Sequence, residues 1–172
     1  MFGTPGRLYV YFTYGMHFCS NVVTGPDGYG SAVLLRAAEP LDGLEAMAAN
    51  RGTDRLRLLC SGPARLTQAL AIGRDDNGAD LVKDPGLFLL AGSPVAARAV
   101  ARSTRVGINV GVERRWRFFE RASAFVSPGP AVRPARRPNA AEGYGFTKIV
   151  TVEPCSRCAP PSGDCDQTAP GW

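Results

Sequence analysis

The stretch Arg7-Leu8-Tyr9-Val10-Tyr11-Phe12-Thr13-Tyr14 constrains the fold more than any other part of this 172-residue chain. It is mostly aromatic and β-branched, the residue types that fit a pleated, half-buried surface. With a side-chain period of two, Tyr9, Tyr11 and Thr13 share one face, and Leu8, Val10, Phe12 and Tyr14 the other. Gly15 breaks the run and Phe18 to Thr24 resumes it. The pattern predicts a hairpin with Gly15-Met16-His17 near its tip. Pro26-Asp27-Gly28 supplies a further turn, and Ser31 to Ala37 a third strand.

Helical signals follow. Pro40 is expected to open a helix running to about Asn50, with Leu41, Leu44, Glu45 and Met47 near helical spacing and Gly52 closing it. A second helix is expected from Ser61-Gly62-Pro63, with Ser61 as its cap, Leu66, Ala69 and Leu70 as its apolar stripe and Gly73 at its end. Phe88 to Ala91, Arg105 to Val110 and Arg117 to Phe119 are shorter strand candidates. Three strands, then helices, then scattered strands predict an α+β domain: a curved, largely antiparallel sheet with flanking helices and a protruding β-hairpin. Composition shifts near Ser127. Residues 128–172 carry 8 of the 14 prolines and little apolar periodicity, so the reading is one domain over 1–127 and an irregular Pro-rich tail over 128–172.

The length and the 45% apolar content suffice for one domain with a real core. No run approaches 18 apolar residues, which excludes a spanning helix. The opening hexapeptide has no basic segment leading into an apolar run, so no secretory leader is expected. The formal charge is +5, and Lys83 and Lys148 are the only lysines among 20 basic residues. Guanidinium suits planar phosphate contacts, but Arg-rich chains also follow from GC-rich coding. The charge permits a nucleic-acid partner without demanding one. Five cysteines, an odd number, argue against a disulfide framework and for a cytoplasmic protein. Cys155-x-x-Cys158 with Cys165 has irregular spacing and no convincing fourth ligand, so neither metal nor cofactor is expected.

Three groups of residues could carry chemistry. Tyr9, Tyr11, Tyr14 and Phe18, with His17 nearby, concentrate ring surface around a tight turn. Such rings usually pack a core; on a hairpin they can instead stack on bases or enter a gap in a duplex. The tip favours the second reading, because Met16 and His17 are hard to bury there. Asn21, among Phe18, Val22 and Val23, is either a satisfied core amide or an amide that reads the edge of a bound ring. Arg36, emerging from Ser31-Ala32-Val33-Leu34-Leu35, either pairs with Glu39 or orients a water or a phosphate.

Taken together, the motifs resemble one family. Met1-Phe2-x-x-Pro5-Gly6-x-x-Tyr9-Val10-Tyr11-x-x-Tyr14-Gly15-Met16, then Cys19 and Asn21, then Ala32-Val33-Leu34-Leu35-Arg36-Ala37-x-Glu39-Pro40-Leu41-x-Gly43-Leu44 are similar to the 3-methyladenine (alkyladenine) DNA glycosylases. So are Leu59-Cys60-Ser61-Gly62-Pro63, Leu66-x-Gln68-Ala69-Leu70, Arg105-Val106-Gly107-Ile108 and Arg117-Phe118. The order is kept over residues 1 to about 127.

The resemblance implies base-excision repair of double-stranded DNA by a monomer, associated with the nucleoid when bound. A damaged purine, alkylated or deaminated, is rotated out of the stack and its N-glycosidic bond hydrolysed. On this reading Tyr14 would wedge into the vacated gap, with Met16 and His17 against the minor groove. Tyr11 would stack on the extruded base, the more strongly when alkylation makes it cationic. Asn21 would reject intact guanine through its exocyclic amino group. Arg36 and the Val106 carbonyl would hold the attacking water. Arg65, where the family usually shows Lys, would contact a phosphate; otherwise it is a solvated helix residue. No amine nucleophile lies in the matched motifs, which implies single-step hydrolysis without a Schiff base.

One departure bears on activity. The family's general base is a glutamate in an upstream Glu-x-Glu-Ala-Tyr-type segment, where a tyrosine and a later histidine form the other pocket wall. No glutamate precedes Glu39 here, and the only histidine is His17. The expectation is that Met1 is an internal methionine of a longer protein, or else that the chain is a non-catalytic DNA-binding remnant. Either way residues 1–172 are expected to be a poor catalyst, since loss of a general base costs roughly 10²–10⁴ in rate. A carbohydrate- or nucleotide-binding β-domain would account for the aromatics, but not for the ordered later motifs.

Overall fold

The computed structural model describes residues 1–127, 129 and 148–154. The alternating run closes into a hairpin of β1 (Leu8–Thr13) and β2 (His17–Val23). The strands are antiparallel, with Leu8 opposite Val22 and Thr13 opposite His17. Tyr14 and Gly15 turn the chain at φ 53° and 66°, and Met16 N–H donates to the Thr13 carbonyl at 3.2 Å. Two successive positive-φ residues match the right-handed twist of the flanking strands. Tyr14 is one of two non-glycine residues with positive φ among those described, a conformation disfavoured for a bulky side chain.

The chain continues as β3 (Ala32–Glu39), α1 (Leu44–Arg51), α2 (Leu56–Leu59), α3 (Pro63–Ala69), β4 (Val100–Ser103), β5 (Arg117–Glu120) and β6 (Lys148–Pro154). Short 3₁₀ turns lie at Arg74–Asp76 and Ala97–Ala99. One open antiparallel sheet runs β1-β2-β3-β6-β5-β4. The protein is an α+β fold, as the order of elements predicted.

Alternation sorts the sheet's faces. Leu8, Val10, Phe18, Val22 and Leu35 pack into clusters with Met47, Leu59, Leu66, Ala69, Ile72 and Leu81, so one face of β1–β3 is covered by the helices and the chain after them. Each fully buried aliphatic side chain contributes roughly 1.5–3 kcal/mol. Thr67 fastens α3 to β2 by donating its hydroxyl to the Phe18 carbonyl at 2.8 Å.

Several local expectations need correction. The first helix starts at Leu44, not Pro40, because Gly43 at its N-cap takes a left-handed φ of 67°. Gly62, not Ser61, occupies the N-cap of α3; the Ser61 hydroxyl instead accepts from Arg65 at 2.9 Å. Phe88 to Ala91 is not a strand: Phe88, Leu89 and Leu90 are exposed, without a partner strand to cover them. Nor is Arg105 to Val110, where Gly107 at φ 74° breaks extended backbone; the strand here is Val100–Ser103 instead. Within 128–172, expected to be irregular, Lys148–Pro154 forms β6. Its Ile149-Val150-Thr151-Val152 core is a β-branched run. The cysteines 155, 158 and 165 lie outside the described residues.

Candidate base pocket and nucleic-acid interface

The sheet face opposite the helices carries the polar side chains. Register places Tyr9 opposite Asn21 and Tyr11 opposite Cys19, and directly opposed residues point to the same side. Tyr9 and Tyr11 stack, with ring centroids 5.7 Å apart and planes 23° off parallel. Asn21 is buried, and its Nδ2 donates to the Tyr9 carbonyl at 3.2 Å. That bond fixes the amide across the hairpin. The buried Cys19 thiol is pushed up by desolvation, while a hydrogen bond with Tyr11 and the charge of Arg36 pull it the other way. Tyr11 and Cys19 are thus cross-strand neighbours, and the Arg36 charge is felt at the thiol.

A β-bulge positions Arg36. On β3, Leu35 pairs with Val152 and Ala37 with Thr151, leaving Arg36 as the extra residue. A bulge bends the strand and re-aims a side chain. The Arg36 guanidinium is buried. Its Nε donates to Ser127 Oγ at 3.4 Å and one Nη to the Val106 carbonyl at 3.4 Å, the long end of the hydrogen-bonding range. Arg36 and Val106, expected to act together, thus meet directly. The alternative Arg36–Glu39 ion pair is not among the salt bridges found between described residues. Ser127, which the sequence reading missed, also accepts from fully buried Arg117. A lone serine in a Pro-rich neighbourhood offered no signal of this.

The hairpin tip projects into solvent. Tyr14 is 81% exposed and Met16 67%, and His17, first in β2, is exposed too. A second surface lies at the helix side. Exposed Arg65 lines a cleft of about 530 Å³ with Arg55, Arg57 and Ser61, backed by Leu56, Leu58, Ala124 and Val126. Arg57 anchors one rim by donating to the Ala124 carbonyl at 3.2 and 3.3 Å. Arg55 and Arg57 were not singled out from sequence; four arginines at 51, 55, 57 and 65 were the available signal. No group of three or more His, Cys, Asp or Glu suited to a metal occurs among the described residues. No helix there is long and apolar enough to cross a membrane.

A tyrosine-tipped hairpin, a fixed amide behind it and a buried arginine on a bulge occur together in the stretch that a family model recognises. Residues 1–124 match the model of methylpurine-DNA glycosylase. The chain belongs to the methylpurine-DNA glycosylase family. Among similar proteins, one from Carboxydothermus hydrogenoformans is 49% identical over 127 residues, 74% of this chain and 66% of that protein. One from Burkholderia lata is 51% identical over 135 residues, 77% of this chain and 65% of that protein. A third, from Agrobacterium fabrum, is 51% identical over 127 residues, 74% and 63% of the two chains. Each bears the name "Putative 3-methyladenine DNA glycosylase". The chain spans just under two thirds of the length of these glycosylase relatives. The match covers every site residue assigned above apart from Ser127 and Val126.

Proposed function

We propose that this protein repairs DNA by base excision: as a monomer it binds duplex DNA, rotates a damaged purine out of the stack and hydrolyses the bond between purine and sugar. The observation that carries this reading is the exposed Tyr14 at the end of a two-stranded lever, with Tyr11 and Asn21 behind it on one sheet face. Rotating a base outward costs a few kcal/mol, least when the base is damaged or mispaired. Filling the gap with Tyr14 offsets part of that cost, since stacking a base on an aromatic ring contributes about 1–3 kcal/mol. The extruded purine would lie against Tyr11, whose ring face attracts a cationic alkylated base more than a neutral one. Arg36 and the Val106 carbonyl would orient the water that attacks the sugar. Arg65 and its neighbours would take phosphates.

The test is binding of a duplex with one methylated purine against an intact duplex of the same sequence. A preference of about tenfold or more, equivalent to 1.4 kcal/mol, is expected; equal affinity for both would refute the reading. Two variants probe its parts. Asn21→Ser shortens the amide that Tyr9 holds in place, so release of guanine from intact DNA should rise relative to release of methylated purines. An unaltered substrate profile would make Asn21 a purely structural cross-strand tie. Arg65→Ala should weaken binding to all duplexes alike and lower the slope of log K against log salt by about 1. A slope that does not move would leave Arg65 a solvated helix residue.

A further inference from the structure

The positive charge of the chain is concentrated in one stretch. Residues 98–121 hold seven arginines and two glutamates, a net +5 that equals the formal charge of the whole protein, so the rest of the sequence is balanced. This stretch contains β4, β5 and the loop between them. Strand alternation divides its side chains between two faces. Arg117 is fully buried and reaches Ser127, the serine that also accepts from Arg36, so it points to the side of the base pocket. Trp116 and Phe118 flank it in sequence and point the other way. The register sets Arg102 opposite Phe118, on that same reverse face.

On the reverse face the arginines lie over rings. The guanidinium carbon of Arg102 is 4.4 Å from the Phe118 centroid, and that of Arg114 is 4.4 Å from the Trp116 centroid. Arg105 approaches Trp116 at 5.2 Å. It is buried, and its Nη2 donates to the Val110 and Gly111 carbonyls at 2.9 and 3.1 Å. Its Nε and Nη1 have no hydrogen-bond partner among the described residues, and no salt bridge there neutralises it. An uncompensated buried charge raises the potential of the surface beside it. Arg102 is exposed, and Arg114 meets exposed Glu113 at 3.6 Å. A guanidinium held over a ring is restrained in position yet keeps N–H groups for phosphate oxygens.

We propose that this reverse face is a second nucleic-acid surface, on which Arg102 and Arg114 take the phosphate backbone of a DNA segment other than the one at Tyr14. The inference rests on the reading above for the first segment. A duplex engaged by Tyr14 and the pocket lies on the other side of the sheet, so the two segments do not compete. Phosphate contacts carry no sequence information, so the second segment is held whatever its sequence and whether or not it is damaged. A protein that grips two segments can pass from one to the other without full release.

The experiment saturates the full chain with a short methylated duplex at low salt, then adds a short intact duplex bearing a second label. The parental chain should bring both labels into one complex. Arg102→Gln combined with Arg114→Gln should lower capture of the intact duplex by roughly tenfold and the slope of log K against log salt by about 2. Affinity for the methylated duplex should stay nearly unchanged. Arg102→Gln alone, at an exposed position, should lower the slope by about 1, and it decides the matter if the double variant does not fold. One duplex per protein, or capture unchanged in the variants, overturns the second surface. So does a complex whose protein mass is doubled, because two protein molecules then join the labels. A parental chain that shows no preference for methylated duplex overturns the base-excision reading instead, since this surface is read from capture of the intact one.

Discussion

Arg36→Met is expected to slow purine release by on the order of 10²-fold while changing affinity for damaged duplex only slightly, because in the proposed function its charge lies beside the attacking water and acts chiefly in the transition state. Methionine fills much of the vacated volume, and Ser127 keeps its hydrogen bonds from Arg117. The Val106 carbonyl loses its contact with Arg36, so a stability loss of about 1–3 kcal/mol is also expected. Single-turnover release, binding and a denaturant titration on one preparation separate these effects. Release at the parental rate would reduce Arg36 to a tie between β3 and the segment ending at Ser127.

Tyr14→Ala should weaken binding to methylated duplex by about 1–3 kcal/mol, or roughly 5- to 150-fold. Binding to intact duplex should change far less, since Tyr14 has no gap to fill there. Thermal stability should hardly move. At 81% exposure the ring buries little in the free protein, and alanine meets the same positive-φ constraint as tyrosine. The holding of a bulky residue at φ 53° on an exposed tip is a strained choice that packing does not explain. Equal weakening on damaged and intact duplexes would make Tyr14 a general DNA contact, not a wedge.

The hairpin was legible in the sequence because aromatic and β-branched residues alternate without interruption up to Gly15, and both strands fall within a residue of their expected bounds. The residues of the polar face were legible for a different reason: they lie in motifs whose order resembles a known family. Strand β6 was not. Ile149 to Val152 is a plain strand signal, but it sits in a stretch whose prolines dominated the reading. Strand β4 was hidden by its composition, Val-Ala-Arg-Ser, which carries little β-propensity and is held by pairing with β5. The Arg36 bulge and the double use of Ser127 arise from tertiary register, which periodicity along one chain cannot disclose.

Strand order has a consequence for how the molecule comes together. The pairing of β3 with β6 joins residues about 110–120 positions apart in sequence, and such non-local pairings slow folding because loop closure comes before its reward. Until the last strand docks, β3 and β5 both present unpaired edges that can recruit a neighbouring chain. Nascent protein therefore passes through an aggregation-prone interval, and slow synthesis at low temperature should favour its recovery in native form.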